Sequence, residues 1–84
     1  SLCTKISKKF YDKIVILVEI DEKLKIHGRY QKGDIHIGKL LNYVTKGRGG
    51  GHRQAGGATI ELEEMEIFKN NIIRKLREEF RKKA

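Results

Sequence analysis

"KGRGGGHRQAGGATI", residues 46–60, carries six of the nine glycines of an 84-residue chain. Glycine has no side chain, so it reaches positive φ and lets another group approach its backbone closely. A run of this kind is either a slack connection or a bare backbone surface, and its neighbourhood argues for the surface. No acid occurs between Ile35 and Ile60, whereas Lys39, Lys46, Arg48 and Arg53 do, and the run leads directly into "ATIEL", a strand-like segment. Successive backbone N–H groups can form an anion-binding nest. The reading is therefore an anion site in which the amides of Gly49, Gly50 and Gly51 surround a phosphate, and His52 and Arg53 add charge-assisted hydrogen bonds. Gly56 and Gly57 let a backbone or a base come close. The run is not a Walker loop, because His52-Arg53 follows Gly51 where Lys-Ser/Thr is required. Nor is it a dinucleotide fingerprint, because His52 stands where the third glycine belongs.

Outward from the run, the chain alternates element types. "KIVILVEI", residues 13–20, is nearly continuous in apolar, mostly β-branched residues, the pattern of a strand covered on both faces, and is expected at the centre of the sheet. After Asp21-Glu22, "KLKIHGRY", residues 23–30, alternates: Leu24, Ile26, Gly28 and Tyr30 face one way, Lys25, His27 and Arg29 the other. Arg29 offers a bidentate grip on phosphate if its face borders the glycine run. Asp34 is a suitable N-cap for a helix with Ile37, Leu40, Leu41 and Val44 at helical spacing, closed by Gly47. The last stretch repeats Met65, Phe68, Ile72, Leu76 and Phe80, an amphipathic helix of roughly five turns. It opens on Glu63, Glu64 and Glu66 and closes on Arg81, Lys82 and Lys83, as the helix dipole favours. The first dozen residues fit either a short helix or an entering strand. The expected fold is α/β: a single domain over residues 1–84, with a small mixed β-sheet, flanking helices, a Gly-rich loop between helix and strand, and a long C-terminal amphipathic helix.

Composition sets the class. At 38% hydrophobic and 36% charged residues the chain reads as a soluble domain, and no apolar run approaches the ~18 residues of a membrane span. One cysteine, Cys3, allows no internal disulfide and no CxxC pair, which fits a cytoplasmic setting. The net charge is +8. Residues 61–84 hold seven Lys or Arg against six acids, and residues 1–60 hold twelve against five, so nearly all the excess lies around the glycine run. Such a field attracts polyanions.

Catalytic chemistry is thinly provided for. Asp12, Asp21 and Asp34 are the only aspartates, two at strand ends and one expected as a cap. Cys3, His27 and His36 match no metal-ligand spacing. His36 is expected as an exposed residue just inside its helix. The few aromatics show no paired stacking pattern, and only Tyr11 or Tyr30 stands where a base could stack. The mixed charges of the last helix read as a solvated face.

"GRGGGHRQAGGATI" resembles the Gly-Gly-Gly-His signature of the C-terminal substrate-binding domain associated with DHH phosphoesterases, among them RecJ-like exonucleases and nano-RNases. The resemblance covers most of the chain. "LKIHGRY" is similar to the family strand that ends in a Ser-x-Arg-Ser type stretch, with Arg29 on the arginine, and "DIHIGKLLNYV" stands where the family has an Asp-starting helix. His27 and Tyr30 replace small hydroxyl residues, and Gly56 stands where many members have Ala. The resemblance implies phosphate, sugar or base binding through Arg29, Gly50, Gly51 and His52. It also implies a separate N-terminal catalytic DHH domain carrying manganese or magnesium, with none in this chain. The partner implied is single-stranded DNA or RNA or a short oligonucleotide, with no membrane. A related domain closes alanyl-tRNA synthetases, so a tRNA-associated module is an alternative, as is the binding half of a cyclic-dinucleotide phosphodiesterase. The absence of an initiator methionine, with Met65 the only one, fits a piece of a longer protein.

Overall fold

A computed structural model describes residues 2–83, without the side chains of residues 3, 4, 7 and 8; the expectation that Cys3 is no metal ligand therefore lies outside the described residues. The chain runs α1 (Leu2–Lys9), β1 (Val15–Ile20), β2 (Leu24–Arg29), α2 (Ile37–Val44), β3 (Gly49–Gly51), β4 (Ala55–Ile60), a 3-10 turn (Leu62–Glu64) and α3 (Met65–Lys83). The four strands form one sheet in the order β1-β2-β4-β3. The α/β layering is as expected, but all three pairings are antiparallel where a mixed sheet was expected. Tight turns join β1 to β2 and β3 to β4, and a tight turn closes only an antiparallel pair. No helix among the described residues is long and apolar enough to cross a membrane.

The alternation of β2 divides the sheet into two faces. Leu24 and Ile26 lie buried with Ile60 of β4, Ile37, Leu40, Leu41 and Val44 of α2, and Phe68 and Ile72 of α3. α2 and α3 thus cover one face, and α3 packs the stripe read from its periodicity as far as Leu76, leaving Phe80 exposed. The other face shows Lys25, His27 and Arg29 of β2, in register with Glu19, Leu17 and Val15 of β1 and with Thr59, Gly57 and Ala55 of β4. β1 is an edge strand and not the central one. Its apolar run reflects covering on both sides all the same: Ile16 and Val18 pack against the core, while α1, the helical alternative for the first residues, rests against β1 and β2.

Two caps depart from expectation. His36, not Asp34, caps α2: its Nδ1 accepts from the Lys39 amide at 3.1 Å, so it is a structural cap and not an exposed helix residue. Asp34 is engaged elsewhere, taking a hydrogen bond from the phenol of Tyr30 that holds its carboxyl below the ordinary range. Tyr30 itself is 1% exposed; burial first, and the Asp34 bond second, push its hydroxyl up to about 12. It is therefore a core residue and not a base-stacking one. At the other end of α2, Gly47 donates to the carbonyl of Asn42 and Lys46 to that of Tyr43, a Schellman closure in which Lys46 (φ 55°) and Gly47 (φ 90°) are left-handed.

The turn after α2 is clamped to the start of the last helical segment. Arg48 reaches both oxygens of Glu64, at 2.5 and 2.7 Å, while its Nε donates to the Thr45 carbonyl. The Arg48 guanidinium, then the Glu61 backbone, holds Glu64 near 2 against an ordinary value of 4.5. Because the folded value lies below the unfolded one, this contribution to stability is complete above pH 4.5 and is lost as pH falls toward 2. Thermal melts from pH 2 to 5 should show a shallower acid slope for Glu64→Gln than for the unaltered chain. Equal slopes would remove the clamp from the acid response.

Candidate nucleic-acid interface

The glycine run forms no slack loop. β3 and β4 make a hairpin in which Gly49, Gly50 and Gly51 pair with Ala58, Gly57 and Gly56. The reversal between them is stitched to the segment before α2. Tyr30 N–H donates to the Gln54 carbonyl, and Ile37 and Gly38 N–H donate to the carbonyls of Arg53 and His52, all at 2.9 Å. Arg53 Nη1 donates to the Gly33 carbonyl at 2.9 Å and Gln54 Nε2 to the Gln31 carbonyl at 2.7 Å. The first amides of a helix are an anion's natural seat, but here they are occupied by the protein's own carbonyls.

The glycines divide into two groups by what a side chain would meet. A Cβ on Gly38 would lie 2.4 Å from the backbone of Gly51, and one on Gly51 (φ +142°) 2.4 Å from the Ala55 carbonyl oxygen. A Cβ on Gly49 would lie 2.7 Å from that of Ala58, and one on Gly56 2.7 Å from the Gly50 carbonyl oxygen. These four glycines allow α2 and the two strands to touch backbone to backbone. Gly50 is different, because a Cβ there would meet nothing within 4 Å, and one on its partner Gly57 would meet only a carbonyl oxygen at 3.3 Å. Packing does not require Gly50 to be glycine, whereas a side chain at 57 would press on the backbone carbonyl of Ile26. Both lie on the open face of the sheet, where they leave a floor without side chains.

Over that floor runs a groove of about 610 Å³, in the range of small-ligand sites. Arg29, His52, Gly50 and Gly51 line it together, beside Ala55 and Gly57. Its remaining wall comes from Leu17 of β1 and Leu2 of α1, with Glu19 and His27 at the β1 side. His27 Nε2 stands 3.1 Å from Glu19 Oε1. Of the residues singled out in the sequence, Arg29 and His52 line the groove on either side of Ala55, with Gly50 and Gly51 beside them. Gly49 packs against Thr45 and β4 below the floor, and the Arg53 side chain is turned to Gly33. Pairing alternation directs the amides of Gly49 and Gly51 away from β4, since Arg48 with Thr59 and His52 with Ala55 make the bonded pairs on either side. Leu2, Leu17 and Glu19 were not found from sequence; the alternation of β1 puts Leu17 and Glu19 on one face, but only the edge position of β1 turns that face toward the glycines.

The groove offers a guanidinium and an imidazole for an anion, a flat backbone surface for a sugar-phosphate chain, and apolar walls for a base. It does not offer a metal site: among the described residues no three His, Cys, Asp or Glu are grouped to hold an ion.

A Gly-Gly-Gly-His hairpin seated on the start of a helix, with an arginine on the neighbouring strand, defines a domain class. The chain belongs to the DHHA1 domain family, whose pattern matches residues 1–81. It is also similar to the A-adding tRNA nucleotidyltransferase of Aquifex aeolicus (strain VF5), at 33% identity over 61 residues, which is 73% of this chain and 7% of that protein. The chain thus spans a small fraction of that relative's length.

The two groups of glycines should separate experimentally. Gly38→Ala, which drives a methyl into backbone, should cost at least about 2 kcal/mol in a denaturant titration. Gly50→Ala should leave the midpoint within the change a surface site allows, about 0.5 kcal/mol. A large loss at Gly50 would mean that its bare backbone serves packing after all.

Proposed function

We propose that this chain is the substrate-binding module of a metal-dependent phosphodiesterase of the DHH class, acting on single-stranded nucleic acid or short oligonucleotides in the cytoplasm. The observation that carries the reading is the paired Gly50 and Gly57, side-chain-free and at Gly50 without a packing reason, lining one groove with Arg29 and His52. A strand of nucleotides lying on that floor brings a phosphate to the guanidinium and the imidazole, where charge-assisted hydrogen bonds hold it. Leu17 and Leu2 exclude water beside a base. A separate N-terminal DHH domain would hold the manganese or magnesium ion, which would supply an activated water there. This chain orients the strand and does no cleavage, a division in which positioning lowers the entropic part of the barrier.

A second reading has the module contact tRNA, and it is favoured by the similarity to an enzyme whose name places it on tRNA. Competition between a tRNA and a short single strand for the same labelled probe distinguishes the two, with the leading reading expecting no preference for the folded RNA.

Fluorescence anisotropy with a labelled short single strand should show salt-sensitive binding, with a slope near −0.7 per phosphate engaged. Arg29→Ala and His52→Ala should each weaken it by about 10- to 150-fold, a charged hydrogen bond's range. Gly50→Val should weaken it comparably while leaving stability almost unchanged. Undiminished binding in all three variants would displace the site from the groove.

A further inference from the structure

We propose that the outer face of α3 is a second nucleic-acid contact, in which Arg74, Arg77 and Arg81 take the phosphates of a strand too long for the groove. The proposal rests on the reading of this chain as a nucleic-acid binder and adds a site on its opposite side.

Apart from the terminal Lys83, the cations of α3 fall into two groups. Lys69 pairs with Glu66, Lys75 with Glu78 and Glu79, and Lys82 with Glu79. Lys75 also stands 4.4 Å from the centroid of the Tyr43 ring. No acid pairs with Arg74, Arg77 or Arg81 among the described residues; Arg74 bonds only the side chain of Asn71. The three arginines are exposed, and positions i, i+3 and i+7 place them on one face, spanning roughly 10 Å at the helical rise. They share a shallow concavity with Asn70, Ile73 and Glu78, and Glu78 is the acid already facing Lys75. Guanidinium is the side-chain group best matched to phosphate oxygens.

The neighbours of the stripe favour a single strand over an acidic polypeptide. Phe80, 45% exposed, stands three residues after Arg77 and so borders the stripe on that side. A row of cations beside an aromatic ring is the arrangement that holds phosphates while a base stacks. Phe68 and Ile72 anchor the opposite side of α3 in the core, and the groove lies on the far face of the sheet. The whole helix layer and sheet therefore separate the two sites, and the molecule is 18 Å across at its thinnest. A strand joining them must pass around an edge, so at about 3.4 Å per stacked nucleotide it needs more than about five nucleotides.

The test compares Arg77→Ala/Arg81→Ala with Lys69→Ala/Lys82→Ala, which remove equal charge from the same helix. Each is titrated by anisotropy against labelled 30-nucleotide oligo(A) RNA and labelled diadenylate. The arginine pair should weaken 30-mer binding about tenfold at low salt and flatten its salt slope by about 1.4, with diadenylate binding unchanged. The lysine pair should change neither by more than about twofold. Equal losses in the two double variants would reduce the stripe to net charge and overturn the proposal. So would an unchanged 30-mer affinity in the arginine pair, or a poly(Glu) interaction that alone depends on Arg77 and Arg81. Diadenylate binding that vanishes in Arg29→Ala while the arginine pair binds the 30-mer normally would sink this proposal and leave the groove reading standing. Failure of the unaltered chain to bind either RNA would overturn both.

Discussion

Everything in this fold leans on the contact between the first turn of α2 and the β3–β4 hairpin. Gly38 sits so close to Gly51 that a methyl group has no room, and the amides of Ile37 and Gly38 are bonded to the carbonyls of Arg53 and His52. A helix ordinarily leaves its first N–H groups for solvent, a cap or a ligand. Here they are used to fix a reversal of chain, so the hairpin is held from one side and its other side is left clear. The Tyr30–Asp34 and Arg48–Glu64 interactions then anchor the segments on either side of that joint.

The glycine run was read as a cradle of amides, but the hairpin ladder and the α2 contact use much of its backbone. What remains available is a surface: the Gly50–Gly57 floor, with Arg29 across β4 from it and His52 at the turn. Charge enters from side chains at the rim, and the backbone supplies flatness.

The sequence showed some of this more readily than the rest, for physical reasons. β2 was legible because its alternation carries burial information at every second residue, and Arg29 was correctly placed on the polar face for the same reason. α3 was legible because its apolar repeat persists over most of its length. The glycine hairpin was not, since a run without side chains has no periodicity, and its pairing depends on partners from α2. The position of β1 was misread because an apolar run reports that both faces are covered and says nothing about the covering. The cap of α2 depended on a competition, with the phenol of Tyr30 claiming Asp34 and leaving His36 at the helix start. The bare floor was the least legible part, because the requirement for glycine at 38, 49, 51 and 56 and its dispensability for packing at 50 differ only in three dimensions.

On the proposed reading, a floor made of glycine backbone constrains how such a domain can change its ligand. Every substitution at 50 or 57 adds bulk and none adds discrimination without closing the groove, so the floor can be kept or lost but not tuned. Adjustment must come from the movable pieces around it: Leu2 on the first helix, Leu17 and Glu19 on the edge strand, and His27 beside them. The edge strand and first helix are therefore the part of the molecule through which a new preference could be acquired while the grip itself stays fixed.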